Sequence, residues 1–115
     1  MTVSLEGVVL LEPWFAEEAH EDLLAKELYR EVGYSHPLHG RRVRTLARSG
    51  DGDVRDGDVL FVAEDEPEAL YVVHLTWHLE SGPLFPWTTR FDSLADWLER
   101  GMKPDHDEWK VEGSK

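Results

Sequence analysis

A chain of 115 residues with 41% hydrophobic residues and five tryptophans has enough apolar material for one cored domain. Such a domain buries roughly two thirds of the surface its unfolded form exposes. Its 24 acidic and 12 basic residues give a formal net charge of −12, which argues against a nucleic-acid reader and favours a basic partner. The absence of cysteine excludes disulfides, thiol nucleophiles and zinc–thiolate sites.

The longest apolar run near the start, Val8-Val9-Leu10-Leu11, is too short for a signal peptide or a membrane span. The expectation is a cytoplasmic bacterial domain with no membrane partner and no cofactor. That run reads as a short extra strand or a segment packed over the core. Residues 1–12 and 105–115 are expected to be peripheral to a single domain covering 1–115. Pro13 suits the first turn of a helix. From Trp14 to Val32 the apolar residues Phe15, Ala19, Leu23, Leu24, Leu28 and Val32 recur at helical spacing, which predicts an amphipathic helix. Gly33 is the expected left-handed cap.

A turn-rich connector, Ser35 to Gly40, leads into residues 41–48, where Val43, Thr45 and Ala47 alternate with Arg42, Arg44, Leu46 and Arg48. This predicts a strand, and its arginines form a basic island with no acid between residues 36 and 49. The island is either a local anion site or a set of strand arginines paired with neighbouring carboxylates. Residues 49–58 carry the Gly and Asp pattern of a hairpin loop. Residues 58–64 predict a second strand, apolar on both faces, and Asp65-Glu66-Pro67-Glu68 a tight turn. Residues 69–78, rich in β-branched and aromatic side chains, predict the central strand. Tyr71, Val73, Leu75 and Trp77 should face the core, with Val72, His74, Thr76 and His78 on the other side.

After a turn at Glu80-Ser81-Gly82-Pro83, residues 84–91 read as an irregular edge strand or a loop lying on the sheet. Ser93 and Asp96 form a helix-start pattern, followed by an apolar face of Leu94, Trp97, Leu98 and Met102, with Gly101 and Pro104 as stops. The predicted fold is α+β: a three- to four-stranded antiparallel meander, in the order α-β-β-β-α. The N-terminal helix and the short C-terminal helix are placed on one face. The opposite face then needs a cover, for instance a second copy in a homodimer.

Two histidine spacings invite a metal reading, His36-x-x-His39 and His74-x-x-x-His78. On a strand the second pair lies about 13 Å apart at the usual rise per residue, so no metal is assigned. The candidate catalytic set is His74 and Thr76 on the central strand, with Arg44 and Glu80. An imidazole beside a carboxylate and an arginine suffices for proton transfer on an anionic ester. His36, His78, Phe85 and Trp87 are candidate binding residues, the two aromatics as interface anchors around Pro86. The acidic turns contain no calcium-loop pattern.

His74-Leu75-Thr76-Trp77 resembles the His-apolar-Thr-apolar element that two-histidine phosphoesterases carry twice, and one copy is present here. The resemblance implies imidazoles exchanging protons while hydroxyls and arginines hold a phosphate. A broader pattern from His36 to Met102 resembles a group of small uncharacterised bacterial proteins. It comprises His36-Pro37-Leu38 with Gly40, Asp58-Val59-Leu60-Phe61, Val73-His74-Leu75-Thr76-Trp77, Glu80, Pro86-Trp87 and Phe91-Asp92-Ser93-Leu94. That resemblance implies a compact bacterial domain and no particular activity. The functional expectation is an acidic protein-interaction module binding a basic partner in the manner of an immunity protein. The alternative is a small hydrolase or phosphoesterase-like enzyme using His74 and Thr76.

Overall fold

A computed structural model describes residues 5, 7–17, 19–33, 36–50, 57–77 and 86–113. Five strands form one antiparallel sheet in sequential order: β1 (Trp14–Ala16), β2 (Val43–Ser49), β3 (Val59–Ala63), β4 (Leu70–His74) and β5 (Trp87–Phe91). Helix α1 (Glu21–Glu31) follows β1. After β5 come α2 (Leu94–Trp97), a π-helical turn (Leu98–Met102) and α3 (Lys103–Gly113), which continue one another as a C-terminal helix. The α+β antiparallel class is as expected, with one strand more than the largest number predicted.

That extra strand is β1. Residues 14–16 pair with Ser49, Arg48 and Ala47 instead of opening the helix. Trp14 is buried, packs edge-on against Trp97 at 5.2 Å, and donates its indole N–H to Asp105 at 2.9 Å. These tertiary contacts outweigh the helical spacing of Phe15 and Ala19. Helix α1 therefore starts only at Glu21, where Glu21 and Asp22 sit at the positive end of the helix dipole. It ends with Val32 in an extended conformation, its N–H still bonded to Leu28, rather than with a left-handed Gly33.

The helices lie on opposite faces of the sheet, a second departure from expectation. Leu24 and Leu28 of α1 pack with Val43, Val59, Phe61, Ala63, Tyr71 and Val73. Trp97 and Met102 of the C-terminal helix pack with Trp14, Leu46, Leu60, Val62, Leu70 and Phe91. The face expected to be open for a second copy thus carries a helix. Every side chain of β3 is buried, as two covered faces require.

Ser93 caps α2 by accepting the Asp96 N–H, and the Asp96 carboxylate accepts the Asp92 N–H. Gly101 and Pro104 do not stop the helix. A proline ring collides with the carbonyl four residues back in a regular helix, and the widened π turn directly precedes Pro104. Gly101 is required by packing: a Cβ there would lie 2.6 Å from Trp97 Cδ1 and 3.1 Å from Phe91 Cζ. No helix among the described residues is long and apolar enough to cross a membrane.

Candidate functional site

His74 is the last residue of β4. The register that pairs Val59 with Val73 sets Asp58 opposite His74, and the Nδ1 to Oδ1 distance is 2.7 Å. On its other side His74 pairs with Trp87 of β5. The His74 side chain is 58% exposed and Trp87 is 56% exposed. A carboxylate on Nδ1 fixes the orientation of the ring, and among the described residues nothing hydrogen-bonds Nε2. Asp58 also lines a shallow cleft of about 220 Å³ with Pro13, Ser49, Asp105, Glu108 and Trp109. Burial raises the Asp105 carboxyl above the usual aspartate range, and the charges of Asp58 and Glu108 push it the same way against the Trp14 hydrogen bond.

Thr76 belongs elsewhere. The strand ends at His74 and Trp77 adopts φ +62, so alternation lapses. The Thr76 hydroxyl and amide both donate to Glu31 Oε1, at 2.9 and 2.8 Å, and the Trp77 amide donates to Glu31 Oε2 at 2.9 Å. These contacts lie on the α1 side of the sheet, whereas His74 shares the face of the C-terminal helix. The structure therefore does not bring His74 and Thr76 together. Burial raises the Glu31 carboxyl, and a hydrogen bond with Glu27 adds to the rise, while the Thr76 and Trp77 donors oppose it.

Arg44 is exposed on β2 and lines a different depression, with Glu17, Glu21, Thr45 and Leu46. A β-bulge between Thr45 and Ala47 shifts the register there. Arg48 accordingly turns to the α1 side, lying over Phe15 and pairing with buried Glu17. Of the basic island, Arg48 and Arg41 take the carboxylate-paired form; Arg41 bonds Asp65 and Glu66. Glu66 also accepts from Arg90 and the Tyr71 hydroxyl, and these donors, Arg90 first, hold its carboxyl down to about 2.

His36 is buried as a clasp. Its Nε2 lies 2.8 Å from the Thr88 hydroxyl and 3.0 Å from the Pro86 carbonyl, while Nδ1 accepts the Leu38 N–H at 3.0 Å. Burial lowers its basicity, which suits a neutral tautomer with one donor and one acceptor nitrogen. Glu80, His78 and Phe85 lie outside the described residues. Among the described residues no group of three or more His, Asp or Glu side chains is placed to hold a metal ion. Among the predicted site residues that the structure describes, His74 and Trp87 are cross-strand partners, and Asp58, which contacts His74, shares its cleft with Asp105 and Glu108. Comparison with protein-family models, curated proteins and solved structures finds no match for this chain.

Proposed function

We propose that this chain is an acidic protein-interaction module that binds a basic protein partner, as an immunity protein neutralises a basic toxin. The distribution of charge supports this reading. Among the described residues Arg30, Arg41, Arg48, Arg90, Arg100 and Lys103 all sit in ion pairs with the chain's own carboxylates. Glu21, Asp22, Asp105, Asp107 and Glu108 are at least partly exposed and form no such pair with a described lysine or arginine. These five described carboxylates meet solvent, and with a net charge of −12 they would steer a cationic partner into contact. Titration calorimetry against purified basic toxin and nuclease domains tests this. Binding of at least one, weakening about tenfold or more between roughly 50 and 200 mM salt, is the expected result. Failure of every one to bind more tightly than about 1 mM at low salt refutes it.

The His74–Asp58 pair favours a second reading, a small hydrolase in which His74 acts as general base on a phosphodiester or another anion. Its measure is hydrolysis of bis(p-nitrophenyl) phosphate. The enzyme reading requires turnover that His74→Ala abolishes with the fold intact, and an inactive purified chain rejects it. Thr76, committed to Glu31, has no catalytic part in this version.

A further inference from the structure

The two helices cover the sheet unequally. On the face of the C-terminal helix, Trp97 and Met102 pack over Trp14, Leu46, Leu60, Val62, Leu70 and Phe91. At the opposite end of β4 and β5 the same face presents two cross-strand pairs, Val72 with Thr89 and His74 with Trp87. Val72 is half-buried at the margin of the core, while Thr89, His74 and Trp87 are exposed. Trp87 has contacts within the chain yet keeps 56% of its surface exposed at the end of an edge strand, an apolar area available to a partner.

We propose that this corner of the sheet is the docking face for a basic protein segment, with Trp87 as its anchor and the Asp58 carboxylate, held beside His74, as its acidic contact. This rests on the basic-partner reading above and specifies where that partner sits. The occupant is argued from charge. Asp58 stands beside His74, and the cleft beyond it brings Asp105 and Glu108 to the same margin. Lysine or arginine from a partner meets carboxylates there and can lie over the indole face, where a cation is attracted by the ring quadrupole. A second copy of the chain would bring another −12 against the same margin, and a nucleic-acid backbone would be repelled for the same reason. Tryptophan is among the residues most enriched at interface hot spots, where a partner desolvates the ring.

The experiment uses the full chain and, as probe, a 12-residue peptide carrying six arginines around a central leucine pair, followed by ¹H–¹⁵N NMR. The expected result is that the Trp87 indole signal, assigned through Trp87→Phe, and the amides of residues 72–74 and 87–89 shift on titration. Trp87→Ala and Asp58→Asn should each weaken binding at least tenfold. Glu64→Gln with Glu68→Gln, at the opposite end of the β3–β4 hairpin, should change it less than twofold. Because Asp58→Asn leaves the indole and β5 intact, a misfolded Trp87→Ala chain does not remove the test. Binding whose shifts map elsewhere, or that weakens equally in both acidic variants, overturns the corner and leaves the basic-partner reading standing. No binding of the probe at physiological salt, together with no binding of the basic domains, removes both. Concentration-dependent dimerisation that protects the Trp87 indole would assign the corner to a second copy and overturn the proposal.

Discussion

The Glu17–Arg48 pair offers the sharpest test of the energetics. Glu17 and Arg48 are only 5% and 4% exposed, and the Glu17 carboxylate also accepts the Ala19 and His20 amides at 2.9 and 2.8 Å. Glu17 thereby fastens the end of β1 and the entry to α1 onto β2. Truncation to Ala leaves the Arg48 guanidinium without its Glu17 partner at a site almost closed to water. Removing one partner of a buried ion pair costs about 3–5 kcal/mol, whereas an exposed pair contributes about 1 kcal/mol or less. Against a total stability of about 5–15 kcal/mol, Glu17→Ala should remove about a fifth or more and lower Tm by roughly 10–20 °C. Glu17→Leu with Arg48→Met, which removes both charges and keeps apolar volume, should recover most of that loss. Urea unfolding of the wild type, Glu17→Leu, Arg48→Met and the double variant closes the cycle, with Glu17→Ala measured beside it. A loss below about 1 kcal/mol for Glu17→Ala, or a double variant no better than the single, would show that the pair behaves as a surface ion pair and sink the reasoning.

Three further outcomes follow from the same packing. Gly101→Ala drives a Cβ into the Trp97 and Phe91 rings, so it should destabilise by about 1–3 kcal/mol despite alanine's better helix propensity; an equally stable variant in urea refutes the close approach. Thr76→Val removes one of three donors to the Glu31 carboxylate and should cost about 1–3 kcal/mol while leaving the His74 ring signals in NMR spectra unmoved; coupled shifts at His74 would reject the separation of the two residues. The pH profile carries two opposite signs. Burial opposes the ionisation of Glu17, but its Arg48 and backbone donors hold the carboxyl below 4.5, so its contribution is present above 4.5 and is lost as pH falls through the lowered value. Glu31 is raised by burial and by Glu27, so its contribution is present below 4.5 and is lost as pH climbs through the raised value. Glu27→Gln should therefore flatten the decline in stability above pH 4.5, and a profile parallel to the wild type counts against the shared-carboxylate account.

The strands β3 and β4 are legible in the sequence because their buried positions depend on local alternation and on the turn residues Asp65 to Glu68. Once that turn is granted, the hairpin register places Asp58 opposite His74, so the pair could have been read from the sequence. The apolar character of β3 on both faces also carried the signal that a helix covers each side. What the sequence hides is non-local. Three residues of β1 show no period of their own, and Phe15 and Ala19 extend the α1 spacing backwards. Only the pairing with residues 47–49 and the burial of Trp14 against Trp97 mark the strand. The bulge after Thr45 reverses the face of Arg48 without any glycine to announce it. Thr76 was expected beside His74 on the assumption that β4 stays extended to residue 78. The Glu31 carboxylate, 45 residues away in the chain, instead gathers the amides of the turn.

These clasps divide the acidic residues into two populations, and the division bears directly on function. Glu17 and Glu31 are buried and committed to donors that join α1 to the strands and turns beneath it. Glu66 is committed to Arg41, Arg90 and Tyr71 at the hairpin turn. Neutralising these carboxylates alters the fold, and a loss of binding in such variants would say nothing about an interface. Asp58, Asp105 and Glu108 differ: they line one cleft, Asp58 contacts His74, Asp105 accepts the Trp14 indole N–H, and the charges of Asp58 and Glu108 help raise the Asp105 carboxyl. Formal charge alone makes all 24 acids equivalent. Asp105 also holds the Trp14 indole, so Asp58 and Glu108 are the carboxylates whose neutralisation tests the proposed docking margin with the least disturbance of the fold.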